Sequence, residues 1–216
     1  MRLPAALFLV LPLALAACAK DAEITAIGGS VGKEINRTGC PALAVPADTG
    51  DVTLFDPPAS RDARAIDVVA TLTDLTGACD TTQAANLATT ASFRVDARRS
   101  SAAGPRDVVL PYYAVVMRGG DQVVSKSVSQ VLVHFDAGKL IASTNGQASA
   151  SIDRAQAMLP QAIRDRIGKK RKAEDADASL DPMNDPQVRA ALAKASFELL
   201  VGFQLTDAQL AYNATR

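Results

Sequence analysis

Tryptophan is absent from this chain of 216 residues, aromatic residues make up only 4% of it, and histidine occurs once. Because sugars and nucleobases are commonly bound by stacking on aromatic rings, so few rings argue against both kinds of recognition. Net charge is also missing, since 23 basic residues balance 23 acidic ones. The composition therefore argues against a nucleic-acid partner, and the core has to be built from aliphatic side chains.

The chain also lacks a recognisable catalytic or metal-binding set. No G-x-S-x-G motif occurs, and nothing marks a nucleophile for the single histidine, His134. Ser125 and Lys126 are adjacent on a predicted strand and point to opposite faces, so they cannot form a dyad. His134 and two cysteines that are expected to bond to each other cannot supply three zinc ligands. We therefore expect no enzyme activity, no metal and no cofactor.

Long apolar runs are missing except at the start of the chain. Met1-Arg2 leads into an apolar run from Leu3 to Ala14, which closes on Leu15-Ala16-Ala17-Cys18. A basic start, an apolar stretch and small residues before a cleavage site are typical of a secretory signal. The run contains two prolines and is shorter than the ~20 residues that span a bilayer, which favours cleavage over a transmembrane anchor.

The segment Leu15-Ala16-Ala17-Cys18 resembles the lipobox of bacterial lipoproteins. The resemblance implies that residues 1–17 are removed and that Cys18 becomes the first mature residue, with lipid on its sulfur and its new N-terminus. Ala19 follows the cysteine where an aspartate would imply retention in the inner membrane. The resemblance therefore favours a lipid-anchored protein of the outer membrane, facing the periplasm, with the membrane as its first partner.

Cys40 and Cys79 remain as an even pair once Cys18 carries lipid. In an oxidising compartment such a pair predicts a disulfide, which would stabilise the fold by about 4 kcal/mol in the chain-entropy model. A redox or metal-binding pair is the alternative, although the C-x-x-C spacing is absent.

The chain divides into a tether and one domain. Residues 18–39 are rich in glycine and predict a flexible tether, and residues 40–216 predict a single domain. Strict alternation from Ala91 to Arg98 predicts a half-buried antiparallel strand. Gly119-Gly120 between β-branched runs predicts a two-residue hairpin turn that pairs Val116 with Val123. The pattern as a whole predicts a mainly β fold, an immunoglobulin-like antiparallel β-sandwich with C-terminal helices.

Helical spacing replaces alternation from about residue 153 to 195, as an insertion before a last strand. Ala155 to Ile167 predicts one helix that ends at Gly168, and Asp185-Pro186 predicts the start of another. Residues 197–205 alternate again, which favours a returning strand over a continued helix. Thr206-x-x-Gln209 is a capping box that predicts a final helix.

The segment Gly202-Phe203-Gln204-Leu205-Thr206, together with Tyr212-Asn213, is similar to the ending of small uncharacterised envelope lipoproteins of alphaproteobacteria. This second resemblance implies no activity and no site residues. It agrees with the envelope location that the lipobox resemblance implies.

Two polar segments are candidate contact sites. Ser125, Ser127 and Ser129 lie in a polar run that predicts a solvated sheet edge, which can bind an envelope protein by strand addition. Lys169, Lys170, Arg171 and Lys172 can contact anionic lipid or an acidic partner. The alternative for this basic run is a solvated loop that the following acidic residues neutralise.

We expect a non-enzymatic interaction or assembly module in the periplasm. The alternative is a protein that binds a small apolar ligand or a cell-wall fragment in a pocket between sandwich and helices. Such a pocket would be lined by several of four phenylalanines: Phe55, Phe93, Phe135 and Phe203.

Overall fold

The computed structural model describes residues 39–169 and 181–215. Residues 1–17, Cys18, the tether up to residue 38 and Lys170, Arg171 and Lys172 of the basic run lie outside these ranges. The strands are β1 (Ala42–Ala44), β2 (Asp51–Phe55), β3 (Ile66–Asp80), β4 (Asn86–Arg99), β5 (Arg106–Arg118), β6 (Gln122–Phe135), β7 (Ile141–Asp153) and β8 (Phe197–Phe203). The α-helices are α1 (Arg154–Ala157), α2 (Gln161–Gly168), α3 (Pro186–Ala195) and α4 (Asp207–Thr215), and 3₁₀ turns occupy Ala63–Ala65 and Pro182–Asn184.

The strands form two four-stranded sheets, in the orders β1-β8-β5-β6 and β2-β3-β4-β7. Every pairing is antiparallel except that of β1 with β8, which is parallel. The sheets share one core: the rings of Phe93 and Tyr112 meet edge to face at 5.0 Å, and the Tyr112 hydroxyl donates to the Gln147 carbonyl at 2.5 Å. The predicted mainly β fold with C-terminal helices is confirmed, and the immunoglobulin-like connectivity stays a prediction.

Strand β4 shows how the sequence pattern produces this packing. Ala91, Phe93, Val95 and Ala97 are all buried, while the residues between them are half-buried or exposed. Successive side chains of a strand point to opposite faces, so apolar residues at every second position place one face of the sheet on the core. The prediction of a half-buried strand here is confirmed.

The hairpin between β5 and β6 has a different register from the predicted one. Gly119 and Gly120 do adopt the positive φ values of 68° and 87°. However, the loop holds the three residues 119–121, and Val116 pairs with Ser125 rather than with Val123. The partner of Val116 is displaced by two residues: the third loop residue accounts for one, and a one-residue bulge in β6 accounts for the other, since it adds a residue to one strand only. The predicted two-residue turn was therefore wrong.

The helices α1, α2 and α3 lie between β7 and β8 in the chain. The prediction of one continuous helix from Ala155 to Ile167 was wrong, because Pro160 directly precedes α2 and a proline has no N–H to continue the helix. Helix α3 begins as predicted, with the Asp185 carboxylate accepting from the Gln187 N–H at 2.7 Å.

The chain then returns to the sandwich as predicted, because β8 is a strand that pairs with both β1 and β5. The capping box before α4 is also confirmed. The Thr206 N–H donates to Oε1 of Gln209 at 2.9 Å, and the Gln209 N–H donates to Oγ1 of Thr206 at 3.3 Å. These two bonds satisfy backbone donors that the first turn of a helix leaves unpaired.

A disulfide joins Cys40 to Cys79, so the predicted pairing is confirmed. It ties the residue two positions before β1 to the end of β3, across a sequence separation of 39 residues. The bond therefore links the two sheets covalently.

Candidate functional site

Strand β6 lies at the edge of its sheet, next to β5, and its outer side pairs with no strand in the described part of the chain. The nine residues Gln122–Gln130, here called the distal edge, are all exposed. From Val131 to Phe135 exposed and buried residues alternate instead. Exposure on both faces means that the other sheet leaves the distal edge uncovered, so its backbone is accessible to another strand.

The inner face of the distal edge carries the serines singled out from the sequence, Ser125, Ser127 and Ser129. They lie opposite Val116, Ala114 and Tyr112 of β5, which are buried. Residues directly opposite in an antiparallel pair share a face, so the serines occupy core-facing positions and yet remain in solvent. The structure thus brings all three together on one side of an edge strand, where a partner side chain can cover them.

The outer face of the same hairpin is more apolar. Val109 pairs with Leu132, Val128 pairs with Tyr113, and Val109, Leu132 and Val128 are each about half exposed. We call these four residues the outer patch. The ammonium group of Lys126 lies 5.4 Å from the centre of the Tyr113 ring. Exposed apolar side chains that cluster on one face can mark contact surfaces in soluble proteins.

Hydrogen bonds fix the Tyr113 side chain of the outer patch in place. Its hydroxyl lies 3.0 Å from Oγ1 of Thr49, which also donates to the Pro46 carbonyl at 3.0 Å. A Cβ atom at Gly202, which pairs with Tyr113, would lie 2.4 Å from that Thr49 oxygen and 2.9 Å from the Tyr113 hydroxyl. Glycine at this position therefore gives the loop before β2 the space to reach the sheet and hold the ring.

The single histidine lies at the other end of β6. Nδ1 of His134 is 2.5 Å from Oδ1 of Asp107, its cross-strand partner, and Nε2 is 3.5 Å from the carboxylate of Asp136. The hydrogen bond to Asp107 raises the pKa of His134, and the negative charges of both carboxylates act in the same direction. No nucleophilic side chain takes part in these contacts, which is consistent with a structural role.

The buried arginine that holds this end together was missed by the sequence reasoning. Arg99 is 4% exposed and donates to the carbonyls of Gly104 at 2.6 Å, Lys139 at 2.8 Å and Asp136 at 2.9 Å. Its guanidinium also lies 5.1 Å from the centre of the Phe135 ring. A signal did exist, because Arg99 continues the inward-facing positions of β4, but arginine is rarely expected at a buried site.

The other predicted contact site is only partly described. Lys169 is exposed and directly follows α2, whereas the other three residues of the basic run lie outside the described residues. Cys18 lies outside them as well. Across residues 39–169 and 181–215, no group of three or more histidine, cysteine, aspartate or glutamate side chains is placed to hold a metal. Within the same ranges, no helix has the length and apolar character needed to cross a bilayer.

The phenylalanines that were expected to line a pocket fill other positions. Phe93, Phe135 and Phe203 belong to the core and are at most 3% exposed. Phe55 packs edge to face on Tyr212 of α4, with the ring centres 5.1 Å apart. The predicted pocket lining was therefore wrong, because packing between the sheets uses these rings as core residues.

No protein-family model, curated protein or solved structure matches this chain. The distal edge and the outer patch therefore have to be interpreted from their own geometry. Together they give one hairpin an accessible backbone, a polar inner face and an apolar outer face.

Proposed function

We propose that this chain is a lipid-anchored protein of the outer membrane that faces the periplasm and acts as a non-enzymatic interaction or assembly module. The lipobox-like sequence ending in Cys18 supports the anchor and the compartment. The exposure of both faces of the distal edge, Gln122–Gln130, carries the proposal of an interaction module.

The partner is an extended segment of another envelope protein, which adds to β6 as a further strand. Native proteins normally protect an edge strand with charges, bulges or a covering loop. Between Gln122 and Gln130 this chain has one charged residue, Lys126, and one bulge near the hairpin loop. The stretch from Ser125 to Gln130 pairs regularly with β5, so its outer backbone groups are spaced to pair with a partner.

The two faces of the distal edge specify the side chains of that partner. On the inner face the serine hydroxyls leave space where a buried residue would lie, so an apolar partner side chain can extend the core over them. On the outer face the half-exposed Val128 and the other residues of the outer patch favour apolar contacts as well. We therefore expect a partner strand that is apolar on both faces, with main-chain hydrogen bonds providing affinity.

The basic run adds a second contact in this proposal. Lys169, Lys170, Arg171 and Lys172 would each contribute about 1 kcal/mol near an anionic membrane surface. Such a contact would hold the domain close to the membrane that carries its lipid anchor.

Site-specific photocrosslinking in cells tests the strand-addition proposal. A benzoyl-phenylalanine side chain is placed at position 127 of the full chain, or at position 71 as the control. Thr71 is also exposed and polar, but it lies in β3, which has a strand on each side. We expect a specific adduct with another protein from position 127 and none from position 71.

Two results would overturn the proposal. One is recovery of only uncrosslinked monomer from position 127, and the other is the same set of adducts from both positions. An adduct between two copies of this chain would show instead that the distal edge binds a second copy and not another envelope protein. With the crosslinker kept at position 127, the double variant Ser125→Lys, Ser129→Lys should abolish the specific adduct and change the free energy of unfolding by less than about 0.5 kcal/mol, since both side chains are exposed.

A further inference from the structure

A cavity of about 540 Å³ lies where the helices pack against the end of the sandwich. Its walls come from Gly39 next to the disulfide, the start of β4, helices α1 and α2, the 3₁₀ turn Pro182–Asn184 and the end of α3. A volume between about 300 and 1,000 Å³ is typical of small-molecule sites. This cavity is separate from the distal edge on β6, because the two share no residue.

The walls of the cavity are aliphatic. The main apolar lining residues are Leu87, Ala157, Met158, Leu159, Ile167 and Leu192. Leu87 and Ala157 are buried, whereas Leu159, Ile167 and Leu192 are half-buried and Met158 is 51% exposed. No aromatic side chain is among the lining residues within 39–169 and 181–215, so this part of the chain offers no ring on which a planar or sugar ligand could stack. Leucine, isoleucine and methionine side chains instead adapt to a flexible hydrocarbon chain.

The charged groups in the described lining of the cavity are both positive. Arg154 and Arg164 line it, and no aspartate or glutamate is among the lining residues that the structure describes. Arg154 donates to the Thr81 carbonyl and is attracted by Asp80, which does not line the cavity. Arg164 is exposed and donates to Gln161, and it forms no ion pair with a described residue. The rim therefore favours an anion, while Ser196 is the one uncharged hydrogen-bonding side chain of the described lining.

We propose that this cavity binds a single-chain anionic lipid, with the acyl chain against the aliphatic walls and the acidic head group at Arg164. A cell-wall fragment does not fit, because its many hydroxyl and amide groups would lose their hydrogen bonds to water against aliphatic walls. A purely apolar ligand would leave the two arginines without a function in binding. The combination of a 540 Å³ aliphatic cavity and an arginine at its rim is matched by a fatty acid.

Photolabelling with a diazirine analogue of palmitate tests this site. The full chain is placed in phosphatidylcholine nanodiscs, titrated with the analogue, irradiated and digested, and the labelled peptides are identified by mass spectrometry. We expect saturable labelling within residues 154–168 and 183–196. Saturable labelling that lies elsewhere, or labelling that does not saturate, would overturn the proposal.

The head-group contact is tested with a matched pair of charge variants. Arg164→Gln should raise the half-saturation concentration of the palmitate analogue about fivefold, which corresponds to about 1 kcal/mol for an exposed ion pair. It should leave labelling by a neutral hexadecanol analogue unchanged, a difference that a general structural defect would not produce. Arg189→Gln, an exposed arginine of α3 outside the cavity, is the control. Equal effects of the two variants would refute the contact.

The acyl-chain contact is tested by filling the cavity. Ala195→Phe puts a ring into the lining and should reduce labelling at least tenfold, whereas Ala190→Phe, on α3 but outside this lining, should not. Labelling of Ala195→Phe at the level of the unsubstituted chain would count against the site. A further arm uses Cys18→Ala: labelling that appears only in this variant would mean that the protein's own lipid fills the cavity, which would overturn binding of a free lipid.

Discussion

The two halves of β6 behave differently although both pair with β5. In the distal edge, Gln122–Gln130, every residue is exposed. In the remaining half Val131, Val133 and Phe135 are at most 5% exposed and belong to the core. Pairing within a sheet therefore does not decide whether a strand is buried; coverage by the opposite sheet does. The same strand can anchor the hairpin at one end and present an edge at the other.

The largest effect on stability should come from a substitution in the buried half of β6. Phe135→Ala deletes a fully buried ring and should lower the free energy of unfolding by about 4 kcal/mol, because it leaves a cavity in addition to the lost burial. Val128→Ala in the distal edge should change it by less than about 0.5 kcal/mol, since Val128 is 53% exposed. Urea denaturation of both variants provides the measurement. Similar losses for the two variants would contradict the division of β6 into two halves.

An intermediate effect should follow from the loss of Arg99. Arg99→Met keeps much of the aliphatic bulk but removes the donors to three backbone carbonyls and the charge next to Phe135. We expect a loss of about 3 kcal/mol, since buried acceptors lose charged donors. The neighbouring Arg98 points outward and is exposed, so Arg98→Met serves as the control in the same urea experiment. An equal loss of unfolding free energy in the two variants would show that the hydrogen bonds of Arg99 to the loop carbonyls do not stabilise the fold.

The smallest effect concerns the exposed cross-strand pair of His134 and Asp107, next to the buried half of β6. The pKa of His134 should lie above its ordinary value of about 6.5, and Asp107→Asn should lower it. Because the pKa is raised in the folded protein, the stabilisation is fully present below the pKa of the unfolded chain and is lost as the pH rises through the folded value. An NMR titration of the imidazole protons measures the pKa of His134 in the unsubstituted chain and in the variant. A pKa at or below 6.5 would show that the hydrogen bond to Asp107 does not form.

Local signals account for the elements that were predicted well. The alternation of β4, the cap at Asp185 and the capping box at Thr206 act over a few residues, so the sequence alone contains them. The disulfide was predictable because the lipobox resemblance assigned Cys18 to a lipid, which left Cys40 and Cys79 as the one remaining pair. The polar run from Ser125 to Gln130 indicated a solvated edge, and β6 is an edge strand.

The predictions that failed depend on contacts between distant segments. The hairpin register depends on a third loop residue and on a bulge, neither of which the two glycines encode. The phenylalanines were assigned to a pocket because their aromatic character does not reveal which sheet will cover them. The burial of Arg99 depends on carbonyls of two loops, one of which lies about 40 residues further along the chain. The alternation of β4 indicates that Arg99 faces inward, but the long-range contacts themselves have no signature within a short window of sequence.

The sequence by itself determined the alternation of β4, the helix caps and the cysteine pair, and it predicts the lipid anchor at Cys18. Each of these rests on the chemistry of one residue or on a short spacing. The tertiary structure alone decided which part of β6 is covered, and it also decided that helices and sandwich form an open cavity with mainly aliphatic side chains and with Arg164 in its lining. Both depend on how two sheets and three helices come together, because burial is a property of packing and not of any single segment.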